Sequence, residues 1–220
     1  MALSIIQGVN VQAALVDLDG TLVDTVGDFV ATLNATLAEL ALPEVDPAFV
    51  MRTVGKGSEY LVRRTLLEIA GHDEQYAQAF AAYQRLYDRF NGLHSRVYPG
   101  VPEALALWRA RGWKLGCLTN KPTTFAKALL RSKGLDGFFQ VVYGGDAFER
   151  KKPDPLPLVK GCEALGSLHA RTLMVGDSSN DAAAARAAGC PVVLVSYGYN
   201  HGEPVTGVDC DGVIDRLDQL

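Results

Sequence analysis

The chain has 220 residues, 48% of them hydrophobic, enough to bury a sizeable core in one large domain or in a domain carrying an inserted lobe. Its 21 basic and 25 acidic side chains leave a formal charge of −4 and no basic block of the kind that binds nucleic acid, so no nucleic-acid partner is expected. No apolar run is long enough to cross a membrane, and residues 1–10 lack a basic segment followed by a hydrophobic core, which predicts a soluble cytoplasmic protein with no membrane partner.

The first informative stretch is Ala13-Ala14-Leu15-Val16-Asp17-Leu18-Asp19-Gly20-Thr21. An apolar run meets two carboxylates that alternate with Leu18, and Gly20 then breaks it; this predicts a buried strand ending in a turn. Asp is a poor strand former and costly to bury unpaired. A strand running into a polar turn would account for one such acid. Two acids two residues apart project from one side of a strand and repel each other without a cation, so the pair marks a candidate site.

From residue 25 the pattern turns helical. Val26, Phe29, Val30, Leu33, Leu37 and Leu40 recur at three- and four-residue spacing and predict a helix over 25–40, ended by Pro43. Asp46-Pro47 opens a short helix and Ser58 a third. Residues 73–90 read as a fourth, with Tyr76, Phe80, Tyr83 and Tyr87 close to one stripe that is expected to be bundle core and not a ligand box. Residues 24–91 therefore read as a helical bundle inserted into a discontinuous core made of 1–23 and 92–220.

Beyond Gly100, helices predicted over 101–111, 123–132, 154–165 and 181–188 alternate with strands over 113–119, 141–144, 172–176, 192–195 and 212–214. Such alternation predicts an α/β fold: a doubly wound, mainly parallel, Rossmann-like sheet carrying an inserted α-helical cap domain. Ligands of such sheets gather beyond the carboxyl ends of the strands. That rule collects Asp17 and Asp19, Thr119-Asn120, Gly144-Gly145-Asp146 and Gly176-Asp177 at one edge. Each alone could be a turn or a helix cap, and Lys151-Lys152-Pro153-Asp154-Pro155 a solvated loop; their joint placement makes coincidence a poor account. Cys117, Cys162, Cys190 and Cys210 form no Cys-x-x-Cys pair and read as reduced packing residues.

Asp17-Leu18-Asp19-Gly20-Thr21-Leu22-Val23-Asp24-Thr25 resembles the first motif of the haloacid dehalogenase-like superfamily in its phosphatase form. Thr119, Lys152-Pro153 and Gly176-Asp177 match the motifs that follow it, and the stretches 144–155 and 175–200 are similar to those of phosphoglycolate phosphatases. The resemblance implies that Asp17 is a nucleophile that becomes an aspartyl-phosphate and that Asp19 is the general acid and base. It implies that Thr119 hydrogen-bonds the transferring phosphoryl with Asn120 in support, and that Lys152 is a cation on the phosphate and nucleophile. It also implies a magnesium ion held by Asp17, the main-chain carbonyl of Asp19 and Asp177. Asp181 either ligates through water or holds Lys152.

Members that cleave carbon–halogen or carbon–phosphorus bonds generally lack an acid at the position of Asp19, so the resemblance implies phosphoester chemistry. The expected activity is magnesium-dependent hydrolysis of a small phosphorylated metabolite, 2-phosphoglycolate, to glycolate and phosphate. In the inserted helices, Gly55-Lys56-Gly57-Ser58 offers helix-start amides and a cation as a cradle for the substrate carboxylate, whereas Arg63 and Arg64 taken singly read as solvated. A sugar-phosphate phosphatase, a phosphomutase and an idle phosphometabolite-binding module are the competing readings. Monomer and homodimer are both open.

Overall fold

The computed structural model describes residues 10–220. A six-stranded sheet in the order β5-β4-β1-β6-β7-β8 forms the centre, and every neighbouring pair in it is parallel. Its strands are β1 (Ala13–Val16), β4 (Lys114–Leu118), β5 (Val141–Tyr143), β6 (Thr172–Gly176), β7 (Val192–Val195) and β8 (Gly212–Ile214). Strand order reverses at β1, so the crevice expected of a doubly wound sheet opens beyond its carboxyl end.

β1 is fully buried because its side chains alternate between two apolar layers. Ala14 and Val16 face Leu105 and Trp108 of α5 (Val101–Ala110) and Leu129 of α6 (Thr123–Ser132). Ala13 and Leu15 face Leu158, Cys162 and Leu165 of α7 (Leu156–Leu165) and the alanines of α8 (Ser179–Ala188). Gly161 lies mid-helix, where glycine ordinarily destabilises, because a Cβ there would come within 2.7 Å of Leu15. Burying Leu15 contributes about 1.5–3 kcal/mol, and Leu15→Ala would cost about 2–5 kcal/mol.

Four helices stand between β1 and β4: α1 (Val26–Glu39), α2 (Pro47–Thr53), α3 (Ser58–Ala70) and α4 (Tyr76–Phe90). Their apolar stripes meet in a separate cluster that includes Phe29, Leu33, Val50, Leu66, Tyr83 and Tyr87. The chain passes to and from these helices through a two-stranded antiparallel ribbon, β2 (Val23–Asp24) and β3 (Arg96–Val97). Behind the ribbon, the buried Asp28 carboxylate accepts hydrogen bonds from the Gly92 and His94 amides at 2.8 and 2.6 Å.

Helix starts account for two of the departures from the sequence reading. α4 begins at Tyr76 because residues 73–75 form a turn, with the Tyr76 amide on the Asp73 carbonyl. α7 begins at Leu156, whose amide is capped by Asp154. Cys117, Cys162, Cys190 and Cys210 are free thiols. No helix among the described residues is long and apolar enough to cross a membrane. Of the segment 1–10, read above for a leader, all but Asn10 lies outside the described residues.

Candidate active site

Asp17 leaves β1 with its amide still on the Val175 carbonyl of β6, so its side chain is fixed at the strand end. The Leu18 carbonyl then accepts the amides of Thr21, Leu22 and Val23, a tight turn that Gly20 permits at φ +85°. Gly20 is also needed for space: a Cβ there would fall 2.3 Å from Asp177 Oδ2. Gly198 encloses Asp177 from the loop after β7, where a Cβ would fall 2.1 Å from the Asp177 Cβ. The Tyr199 amide donates to Asp177 Oδ2 at 2.7 Å.

Lys152 joins these strand ends. Its ammonium donates to Asp17 Oδ1 at 2.9 Å, Asp181 Oδ1 at 2.6 Å and the Leu118 carbonyl at 2.7 Å. The other Asp181 oxygen accepts from the Ser178 hydroxyl at 2.8 Å and from the Asp177 and Ser178 amides, which ties it to the start of α8. Asp181 thus bridges Lys152 and the start of α8.

Asp17, Asp177 and Asp181 are buried with carboxylate oxygens within 4.8 Å of one another. Burial, partly offset by Lys152 and reinforced by Asp181, pushes Asp17 up to about 7. Burial and the Asp181 and Asp17 charges hold Asp177 well above the carboxylate range. Burial opposes the Lys152 charge, but Asp17 and Asp181 outweigh it and keep the ammonium protonated. Ionised together, three acids beside one ammonium would carry excess negative charge in a dry place, which burial makes costly. An all-oxygen donor set with that imbalance fits a hard divalent cation.

Asp17, Asp181 and Lys152 open into a cleft. Asp17, Asp19, Thr119, Asn120 and Lys152 line it from the strand ends, and Gly55, Gly57 and Ser58 line it from the inserted helices. Thr119 is buried, with its hydroxyl oxygen accepting the Lys121 amide at 3.2 Å. The Asn120 amide group donates to the Lys152 and Gly55 carbonyls at 2.9 and 2.8 Å, bridging the sheet and the inserted helices.

Two of the polar residues near the strand ends and the helix start stand outside the cleft. Lys56 does not line the cleft: it is exposed, with its ammonium 5.2 Å from the Tyr60 ring. It lies between Gly55 and Gly57, whose positive φ values of +107° and +94° reverse the chain there. Asp146 is exposed and caps α6, accepting from the Thr123 amide at 2.8 Å, so β5 contributes no acid to the cleft. Arg63 is solvent-facing and pairs with Asp73.

Other residues of the cleft were not anticipated. Lys121 pairs with Asp19 at 2.7 Å, and Phe29, Tyr83 and Tyr87 line the same space. Two of the four aromatics read as bundle core thus serve both the core and the cleft wall. The signal available in the sequence was the position of Lys121, two residues beyond Thr119 at a strand end. Tyr199, in a loop whose role the sequence left unread, accepts the Thr25 amide at 2.7 Å and donates to Asp24 at 2.8 Å.

Residues 11–189 match the family model of the haloacid dehalogenase-like hydrolases. The chain is 41% identical over 210 residues to a phosphoglycolate phosphatase of Thiobacillus denitrificans, covering 94% of this chain and 92% of that protein. It is 41% identical to a phosphoglycolate phosphatase of Yersinia pestis, over 93% of this chain and 89% of that one. A solved structure described as a predicted phosphoglycolate phosphatase from Haemophilus somnus superposes with a TM-score of 0.87 at 32% identity, covering 96% of both chains.

Proposed function

The chain belongs to the haloacid dehalogenase-like hydrolases and is a phosphomonoester hydrolase, and from that premise we propose that it converts 2-phosphoglycolate to glycolate and phosphate by nucleophilic attack of Asp17. The observation that carries this reading is the double pairing at the end of β1. Lys152 holds the Asp17 carboxylate at 2.9 Å and Lys121 holds that of Asp19 at 2.7 Å, both acids facing one cleft. The names of the relatives support the choice of ester.

Lys152 orients Asp17 so that its second oxygen faces the phosphorus and offsets the charge of an anion meeting an anion. Thr119, buried beside it, presents its hydroxyl to a phosphoryl oxygen. As the ester bond breaks, Asp19 gives a proton to the departing alkoxide, and an aspartyl-phosphate remains on Asp17. Asp19, now a carboxylate, takes a proton from the water that attacks phosphorus, which releases phosphate and restores both acids. Asp17, the Asp19 carbonyl and Asp177 would hold magnesium, which when bound neutralises phosphoryl charge. Asp181 keeps Lys152 in place, and the inserted helices cover the cleft and limit water.

Phosphate release from a panel of small esters, with and without magnesium, tests the reading, with Asp17→Asn as control. Rapid acid quenching followed by mass spectrometry should find a phosphoryl adduct on the peptide bearing Asp17. Normal turnover by Asp17→Asn would overturn the assignment.

A further inference from the structure

Lys121 enters the cleft from the end of β4 with 2% of its side chain exposed. Its ammonium lies 2.7 Å from Asp19 Oδ1, 4.5 Å from the Phe29 ring centroid and 5.0 Å from that of Tyr87. Ring faces attract a cation but accept no full hydrogen bond from it. An ammonium has three donors, and among the described residues Asp19 is the one acceptor that Lys121 finds. Tyr83 and Tyr87, each 1% exposed, line the same cleft, and neither hydroxyl has a hydrogen-bond partner among the described residues. Burial raises both phenols far above their ordinary range, so they remain donors. Lys152, in contrast, has an acceptor for each of its three donors.

Buried donors without acceptors are unfavourable and call for a ligand that supplies the acceptors. We propose that Lys121, with the hydroxyls of Tyr83 and Tyr87, is the subsite for a second anionic group on the substrate, a carboxylate next to the ester oxygen. The subsite deepens the hydrolytic reading above and rests on it. It also replaces the Gly55–Ser58 cradle, whose lysine is exposed. Asp19 fixes the location, because the group that protonates the ester oxygen is the group Lys121 touches. A carboxylate held there sits one or two carbons from that oxygen and takes charge-assisted hydrogen bonds. A tail bearing only a hydroxyl would leave the ammonium without a counter-charge.

The test compares kcat/KM for 2-phosphoglycolate and 2-hydroxyethyl phosphate, an ester of equal length with an uncharged tail. The wild type should favour 2-phosphoglycolate by at least about 100-fold. Lys121→Met should bring that ratio to within about threefold of unity, and Tyr83→Phe and Tyr87→Phe should each lower it by about fivefold. Lys121→Arg should retain a preference. Loss of the Asp19 contact slows both esters alike and cancels in the ratio. The tyrosine variants preserve shape, so they decide the matter if Lys121→Met does not fold. An unchanged ratio in all of these variants, or a wild type indifferent to the carboxylate, overturns the subsite. Wild-type turnover of a different acidic monoester, with the same collapse in Lys121→Met, upholds the subsite and overturns 2-phosphoglycolate as the substrate. A wild type that hydrolyses no ester overturns the hydrolytic reading and the subsite with it.

Discussion

Lys152 and Lys121 share one cleft, yet their surroundings differ in kind. Around Lys152 the polar groups are paired: three donors meet three acceptors, and both oxygens of Asp181 are occupied. Around Lys121 one carboxylate and two ring faces stand beside hydroxyls that find no partner among the described residues. The first cluster comes wholly from strand ends and the segments just beyond them, whereas the second is shared with the inserted helices. A transferring phosphoryl group is the same in every phosphomonoester, so its surroundings can be completed in advance. The leaving group varies, and on the proposed reading it meets the side whose hydrogen-bonding capacity is open.

The comparison is most exposed to failure at Asp17. Asp17→Asn should lower kcat for phosphate release by more than about 10⁴-fold, because a completed cluster has no substitute nucleophile. Asp177→Asn should raise the magnesium concentration needed for half-maximal turnover by at least about tenfold, and a chelator should silence the wild type until magnesium is returned. Stability should separate the two lysines. Lys152→Met strands two buried carboxylates and should lower the unfolding free energy by about 3–5 kcal/mol in urea titrations, well above the loss for Lys121→Met. Equal losses would erase the distinction.

Gly198→Ala places a methyl against Asp177 and should cost about 1–3 kcal/mol, read as a lowered Tm. Lys56→Ala should change neither stability by more than about 0.5 kcal/mol nor turnover by more than about threefold, as expected of an exposed side chain. A tenfold loss there would move the substrate-reading side back to the helix start.

Part of the paired cluster was legible because its acids at the ends of β1 and β6 follow apolar runs in plain order along the chain. Asp17, Thr119 and Asp177 are strand-end residues by periodicity alone, whereas Lys152 stood out from a solvated loop only through its resemblance to a family motif. Lys121 was not singled out, because its position two residues beyond Thr119 does not by itself distinguish a cleft residue from a turn residue before Pro122. Its ammonium is buried by Phe29 and Tyr87, which come from helices far away in the chain. The outward course of Lys56 depends on two backbone angles that composition does not reveal. Asp28 reads as an ordinary first-turn acid of α1, and only the fold shows it buried under the amides of Gly92 and His94. A two-residue strand such as β2 is too short to show any period.

That ribbon has a consequence for how such a protein changes over generations. Val23 pairs with Val97 and Asp24 with Arg96, so the detour through the helices starts and finishes at a single doorway about 5 Å wide. A lobe attached through neighbouring threads can be traded, enlarged or lost by genetic exchange without rethreading the sheet beneath it. Exchanging the lobe would replace the Tyr83 and Tyr87 wall of the cleft while leaving Lys121 and the strand ends where they are.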